Sequence, residues 1–165
     1  MHNISGARSP LLGLAFWIAL CVLVGVISGL LTRRDIAGWY AGLRKPSFNP
    51  PNWIFGPVWM ALYILMGVAA WVVWSQPASQ LRAYALTWFA IQLALNFLWS
   101  MIFFRWHAIA GALGEISFLW LAILATMVMF WEVRPLAGWL LLPYLAWVSF
   151  ATALNLGIFR LNRNR

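Results

Sequence analysis

Residues 11–31 read LLGLAFWIALCVLVGVISGLL, and no charge interrupts them. A helix rises ~1.5 Å per residue, so a run of 21 residues covers the ~30 Å hydrocarbon core of a bilayer. The apolar part of a secretory signal is shorter, roughly 7–15 residues. The run Leu11 to Leu31 therefore reads as a mature transmembrane helix, although Arg8 precedes it.

The rest of the chain has the same character. Of 165 residues, 64% are hydrophobic, 8% are charged and 13 are tryptophan. Mean hydropathy is +0.83. A soluble domain of this size cannot cover so much apolar surface with polar groups. A transmembrane β-barrel would show alternating segments of about ten residues. The apolar stretches here are long and continuous, so the expected fold is an all-α integral membrane protein with a single bundle of five transmembrane helices. The helices are expected at about 10–31, 57–74, 81–104, 109–131 and 136–159. Pro10, Pro57 and Pro135 lie at or near helix starts, where a missing N–H costs little. The polar break 75–79 separates the second and third spans, and no stretch is left for a soluble domain.

The net charge of +8 comes from 11 Lys and Arg against three acids. The cations sit in connectors and tails, which fits lipid headgroups rather than nucleic acid. Arg8, Arg82 and Arg134 fall on the N-terminal side. Arg33, Arg34, Arg44, Lys45, Arg105, Arg160, Arg163 and Arg165 fall on the other. For an inner-membrane protein this bias places the first connector and the C-terminus in the cytoplasm. Cys21 is a lone cysteine and reads as a packing group. His2, His107 and one cysteine make no metal site.

The connector is unusual. Trp39 to Trp59 reads WYAGLRKPSFNPPNWIFGPVW, with Pro46, Pro50, Pro51 and Pro57 and little helical periodicity. A simple turn between spans needs only a few residues. A long Pro- and Trp-rich loop between the first two helices reads instead as the lid or wall of a site.

Polar groups inside the spans point the same way. Gln92, Asn96 and Ser100 recur every four residues on the third span, beside Trp99. Trp147, Ala151 and Asn155 do so on the fifth, beside Thr152. Amides in hydrocarbon need partners, so both stripes face inward, either to bond helix to helix or to line a pocket between these spans. Glu115 is the acid set deep in a span, which makes it a functional candidate by default, with pairing to Arg105 or His107 and simple protonation as the alternatives. Gly25 and Gly29, and Ala90 and Ala94, are small pairs that permit close helix approach. Trp39, Trp53, Trp71, Trp74, Trp106, Trp131 and Trp139 read as an interfacial belt, Trp59 and Trp99 lie a turn or so from a helix end, and Trp17, Trp120 and Trp147 lie deep and call for protein or ligand partners. There is no phosphate loop, nucleophile triad or carboxylate pair, so nothing argues catalysis and no catalytic residue is assigned.

The segment Trp39-Tyr40, Leu43, Lys45-Pro46, Phe48, Pro50-Pro51, Trp53-Ile54-Phe55 and Val58-Trp59 resembles the signature of the tryptophan-rich sensory proteins. These are bacterial relatives of the mitochondrial translocator protein, also called the peripheral benzodiazepine receptor. Asn96, Trp99 and Ser100 match the family spacing in the third span. Pro143-Tyr144-Leu145, Trp147, Ala151-Thr152 and Leu154-Asn155 match it in the fifth.

The resemblance implies a homodimeric five-helix bundle, often paired through the third helix. It implies a receptor or regulator in a bacterial membrane that binds tetrapyrroles such as protoporphyrin IX, and similar flat hydrophobic ligands, under the first connector. No cofactor is required, since the porphyrin is the ligand. Carried over by motif, the site is Tyr40, Pro50, Trp53, Trp59, Asn96, Trp99, Ser100, Trp147 and Ala151. Arg44 and Lys45 at its mouth suit the propionates. A porphyrin transporter and a light-dependent porphyrin-degrading enzyme are the two alternative activities, and the family also admits an outer-membrane location. The sterol-recognition pattern of eukaryotic members needs a tyrosine shortly before a cation. The end of the fifth span, LNLGIFR at 154–160, has none.

Overall fold

The uncharged run from Leu11 gives α1 (Pro10–Ala37) its core, but the helix does not end at Leu31. The computed structural model of the protein describes residues 10–163 and carries α1 on through Thr32, Arg33 and Arg34. Thr32 Oγ1 donates to the Ser28 carbonyl at 2.9 Å, so its hydroxyl is satisfied inside the helix. Arg33 and Arg34 are exposed near the carbonyl end, where the helix dipole favours cations. The Gly38 N–H then donates to the Arg34 carbonyl at 2.9 Å and closes the helix.

The connector is shorter than its sequence suggests. After a 3₁₀ turn at Tyr40–Gly42, α2 (Asn52–Trp74) begins well before the expected start at Pro57. Pro51, with ψ 140°, sets that start, and the Ile54 N–H donates to its carbonyl at 3.0 Å. Pro57 stands inside the helix, where it removes the N–H that would meet the Trp53 carbonyl. One bond lost in the first turns, beside the interface, does not stop the helix.

α3 (Gln80–Ser100) is capped by Ser79, whose Oγ accepts the Arg82 N–H at 3.1 Å. One turn of π-helix follows at Met101–Arg105, and the chain leaves it through His107 at φ 56°. α4 (Ile109–Val133) and α5 (Pro135–Asn162) complete the chain. Pro135 opens α5, and that helix runs past Phe159 because Asn162 returns a side-chain bond to the Ile158 carbonyl at 2.8 Å.

The helices form a ring. α1 packs on α2, α2 on α5, α5 on α4 and α4 on α3, and α3 with its π turn returns to α1. All five are long and apolar enough to span, and no strand occurs among the described residues, so this is an all-α multi-pass membrane protein. Large apolar groups such as Leu11, Phe16, Phe118 and Leu121 face outward, as lipid contact requires. Ala90 and Ala94 also lie exposed on the outside of α3. Arg8, Arg165 and His2 fall outside the described residues.

Two glycines fix the α1–α2 seam. A Cβ on Gly25 would strike the Tyr63 ring, so this half of the Gly25/Gly29 pair does serve close approach. At Gly29 a Cβ would meet nothing within 4 Å. The sequence reading passed over Gly67, where a Cβ would lie 2.6 Å from Ile18 Cα and 2.9 Å from the Trp17 carbonyl oxygen. Backbone cannot yield as a side chain can. Gly67→Ala is therefore expected to destabilise the bundle by about 1–3 kcal/mol, read as a lowered thermal midpoint in detergent. Gly29→Ala should leave the midpoint unchanged, and an unchanged midpoint in Gly67→Ala would contradict the seam.

Candidate functional site

The site is built on one amide. Asn96 on α3 is buried, and its Oδ1 accepts the Tyr63 hydroxyl of α2 at 2.5 Å. Its Nδ2 donates to the Tyr144 hydroxyl of α5 at 3.1 Å. Both partners are buried too. Three helices that surround the core are thus tied at one level. Trp59 precedes Tyr63 by one turn, while Trp99 and Trp147 follow Asn96 and Tyr144 by one turn. α2 runs away from the connector, and α3 and α5 run towards the connector side. All three indoles therefore sit one turn above the polar bridge, on the connector side of it.

There they wall a cavity of about 50 Å³ under the connector. Tyr40 closes it from the connector, Ala151 and Asn155 from α5, and Phe55 and Phe103 complete the aromatic rim. The Tyr40 hydroxyl donates to Asn49 Oδ1 at 3.1 Å, and burial pushes its phenol up to about 12. The Trp147 and Trp99 indole N–H groups have no hydrogen-bond partner among the described residues. Asn155 is different. With its amide nitrogen towards the Ile109 carbonyl (3.3 Å) and its oxygen towards the Leu113 N–H (3.1 Å), it ties α5 to the first turn of α4.

A second, larger cavity of about 310 Å³ lies beside the first, between α1, α2 and α3. Phe55, Trp59, Trp99 and Phe104 line both, so a wall of four aromatic rings divides them. Ser100 belongs to this outer cavity, and its hydroxyl reaches the Asn96 carbonyl at 3.5 Å.

The connector is docked at both ends. On α5, the Arg44 N–H donates to Asn162 Oδ1 at 3.1 Å and the Asn162 amide donates back to the Arg44 carbonyl at 2.9 Å. Pro46 rests on Gly157, where a Cβ would lie 3.0 Å from the proline Cγ, and Phe48 meets Phe150 edge to face. Across the bundle, Asp35 of α1 holds Arg105 at 3.5 Å and His107 at 3.2 Å, and Trp39 stacks on the His107 ring at 4.3 Å.

The residues expected from sequence divide accordingly. Tyr40, Trp59, Trp99, Trp147 and Ala151 come together at the inner cavity. Asn96 forms the bridge beneath it, and Ser100 lines the outer cavity. Pro50 accepts the Asn49 amide at 2.8 Å and lines neither, and Trp53 is 73% exposed. Arg44 is exposed. The Lys45 ammonium donates to the Ala41 and Leu43 carbonyls and lies 4.6 Å over the Tyr40 ring, so it caps the turn rather than facing a cavity. Glu115 is buried with both oxygens unpartnered among the described residues, because Arg105 and His107 bind Asp35 instead. Of the deep indoles, Trp120 donates to Ser149 at 2.8 Å, far from either cavity. Sequence reasoning missed Phe55, Phe103 and Phe104. They fall within the connector as first drawn and within the π turn, where helical spacing gives no sign.

A five-helix membrane bundle holding an aromatic cavity beneath a docked, proline-rich connector is the class of protein that this geometry defines. Residues 17–161 match the TspO/MBR family, and the chain belongs to it. It is 40% identical to protein CrtK of Rhodobacter capsulatus, over 90% of this chain and 91% of that one. It is 43% identical to the tryptophan-rich sensory protein of Cereibacter sphaeroides, over 84% of each chain. It is likewise 43% identical to the human translocator protein, over 75% of each.

The bridge is testable on its own. Asn96→Ala leaves the Tyr63 and Tyr144 hydroxyls without that partner in a low-dielectric core, and should cost about 1–3 kcal/mol in detergent unfolding. Tyr63→Phe, which breaks one bond of the two, should cost less. Wild-type stability in Asn96→Ala would show that the amide does not hold the three helices.

Proposed function

We propose that this protein is a membrane receptor or regulator that takes a flat tetrapyrrole of the protoporphyrin IX type into the inner cavity. The observation that carries the reading is the convergence of Trp59, Trp99, Trp147 and Tyr40 on one cavity under the connector. Indole faces offer area and offset stacking to a planar apolar ring, and the unpartnered Trp99 and Trp147 N–H groups can be satisfied by acceptors on a ligand. The names of the relatives, a sensory protein among them, agree with a sensing role.

The inner cavity holds about 50 Å³, far below the ~300 Å³ and more of a typical ligand pocket. The ring therefore enters by moving the shared wall of Phe55, Trp59, Trp99 and Phe104, which merges the inner space with the outer. The propionates stay at the connector, where Arg44 is exposed and Lys45 can exchange its carbonyl contacts for a carboxylate.

Protoporphyrin IX titrated into the purified protein should quench tryptophan fluorescence saturably. Trp147→Phe and Trp59→Phe should each weaken binding severalfold, in line with ~0.5–1.5 kcal/mol for an aromatic contact. Equal dissociation constants in wild type and both variants would contradict the reading.

A further inference from the structure

Glu115 has no part in the site just described. It is 9% exposed on α4, and both carboxyl oxygens lack a partner among the described residues. A carboxylate left alone in hydrocarbon is costly and calls for a counter-ion. Among the described residues the chain supplies none. Arg105 and His107 are held by Asp35, and the Lys45 ammonium is bonded to the Ala41 and Leu43 carbonyls. Asn155 fixes where Glu115 stands, because its amide sits between the Ile109 carbonyl and the Leu113 N–H. α4 and α5 are joined through Arg134 alone and pack antiparallel, so one turn on from this tie Glu115 comes level with Ala151. Ala151 lines the inner cavity. Ala112, one turn before Glu115, packs in a buried cluster with Tyr40, Phe103 and Leu154, which line that cavity too. Ile116 packs in the cluster that holds Tyr144 and Ala151. The carboxyl therefore stands at the α4 side of the inner cavity.

The cavity itself is a box of rings: Tyr40, Trp59, Trp99, Trp147 and three phenylalanines. The face of an aromatic ring carries negative potential and attracts a cation. One ring of the box already does so, since Lys45 Nζ lies 4.6 Å from the centroid of Tyr40. At about 50 Å³ the cavity is smaller than two water molecules at ~30 Å³ each. With its wall unmoved it admits a group the size of a methylammonium head. We propose that the inner cavity is a cage for the ammonium head of a primary amine, with the rings around the charge and Glu115 as its counter-ion. The pair brings no net charge into the core, which removes the cost of the lone carboxylate. The cage discriminates by charge and not by size alone, because a neutral head of the same shape gains neither the rings' potential nor the carboxylate. This inference rests on the box and on Glu115, and it stands without the tetrapyrrole reading.

The test uses the full chain in detergent with nitrogen-15 in its tryptophans, so that each indole N–H gives its own magnetic resonance signal. Methylammonium chloride is titrated in at constant ionic strength, against methanol as the neutral head of the same size and potassium chloride as the bare salt. Methylammonium should shift the Trp59, Trp99 and Trp147 signals saturably, and the two controls should not. Glu115→Gln keeps the shape and removes the charge, and should raise the dissociation constant at least tenfold. Glu115→Asp keeps the charge and should raise it by less. Equal shifts with methanol, shifts confined to outward indoles such as Trp53 and Trp106, or an unchanged dissociation constant in Glu115→Gln would each overturn the cage. The contrast between methylammonium and methanol is read in the wild type and needs no variant to fold. A protein that shows it yet fails to bind protoporphyrin IX would lose the tetrapyrrole reading and keep this one.

Discussion

In hydrocarbon a polar side chain must find its partner within the protein. That constraint, concentrated at Asn96, organises this molecule. Its single amide accepts from α2 and donates to α5 while belonging to α3, so three helices meet at a fixed depth and rotation. One turn nearer the connector, the same three faces present Trp59, Trp99 and Trp147 to each other. The aromatic cavity is a consequence of the bridge below it: helical spacing carries the orientation set by the polar bonds up to the indoles.

The connector then closes the space without being a spanning element. Its α5 end is fixed by Asn162 on Arg44 and by Pro46 on Gly157. On the far side, Asp35 gathers Arg105 and His107, and so ties α1 to the π turn that carries Phe103 and Phe104. Tyr40 lies between these two anchors and hangs over the cavity.

Much of this was legible in the sequence. Five spans follow from the length of the uncharged runs, and the inward stripes follow from Gln92, Asn96 and Ser100 and from Trp147, Ala151 and Asn155. The connector's proportions were not legible. Pro57 looks like a helix start, yet the helix tolerates it internally because only the Trp53 carbonyl loses a bond. That shift turns Phe55 from a loop residue into a helix residue lining the cavity. The partners of Asn96 were also hidden, since Tyr63 and Tyr144 show no polar stripe of their own. Asp35 captured the cations that spacing offered to Glu115, because helix position alone does not reveal which neighbour a long side chain will reach. Gly67 had no GxxxG pattern to mark it, and its role depends on the backbone of another helix.

The central claim is that the three indoles above the Asn96 bridge form the ligand seat. Intermolecular nuclear Overhauser effects between protoporphyrin IX and the protein in detergent address it most directly. The account predicts contacts from the porphyrin ring protons to the indole protons of Trp59, Trp99 and Trp147 together. Contacts confined to outward residues such as Trp53 and Trp106, with none to those three indoles, would contradict it.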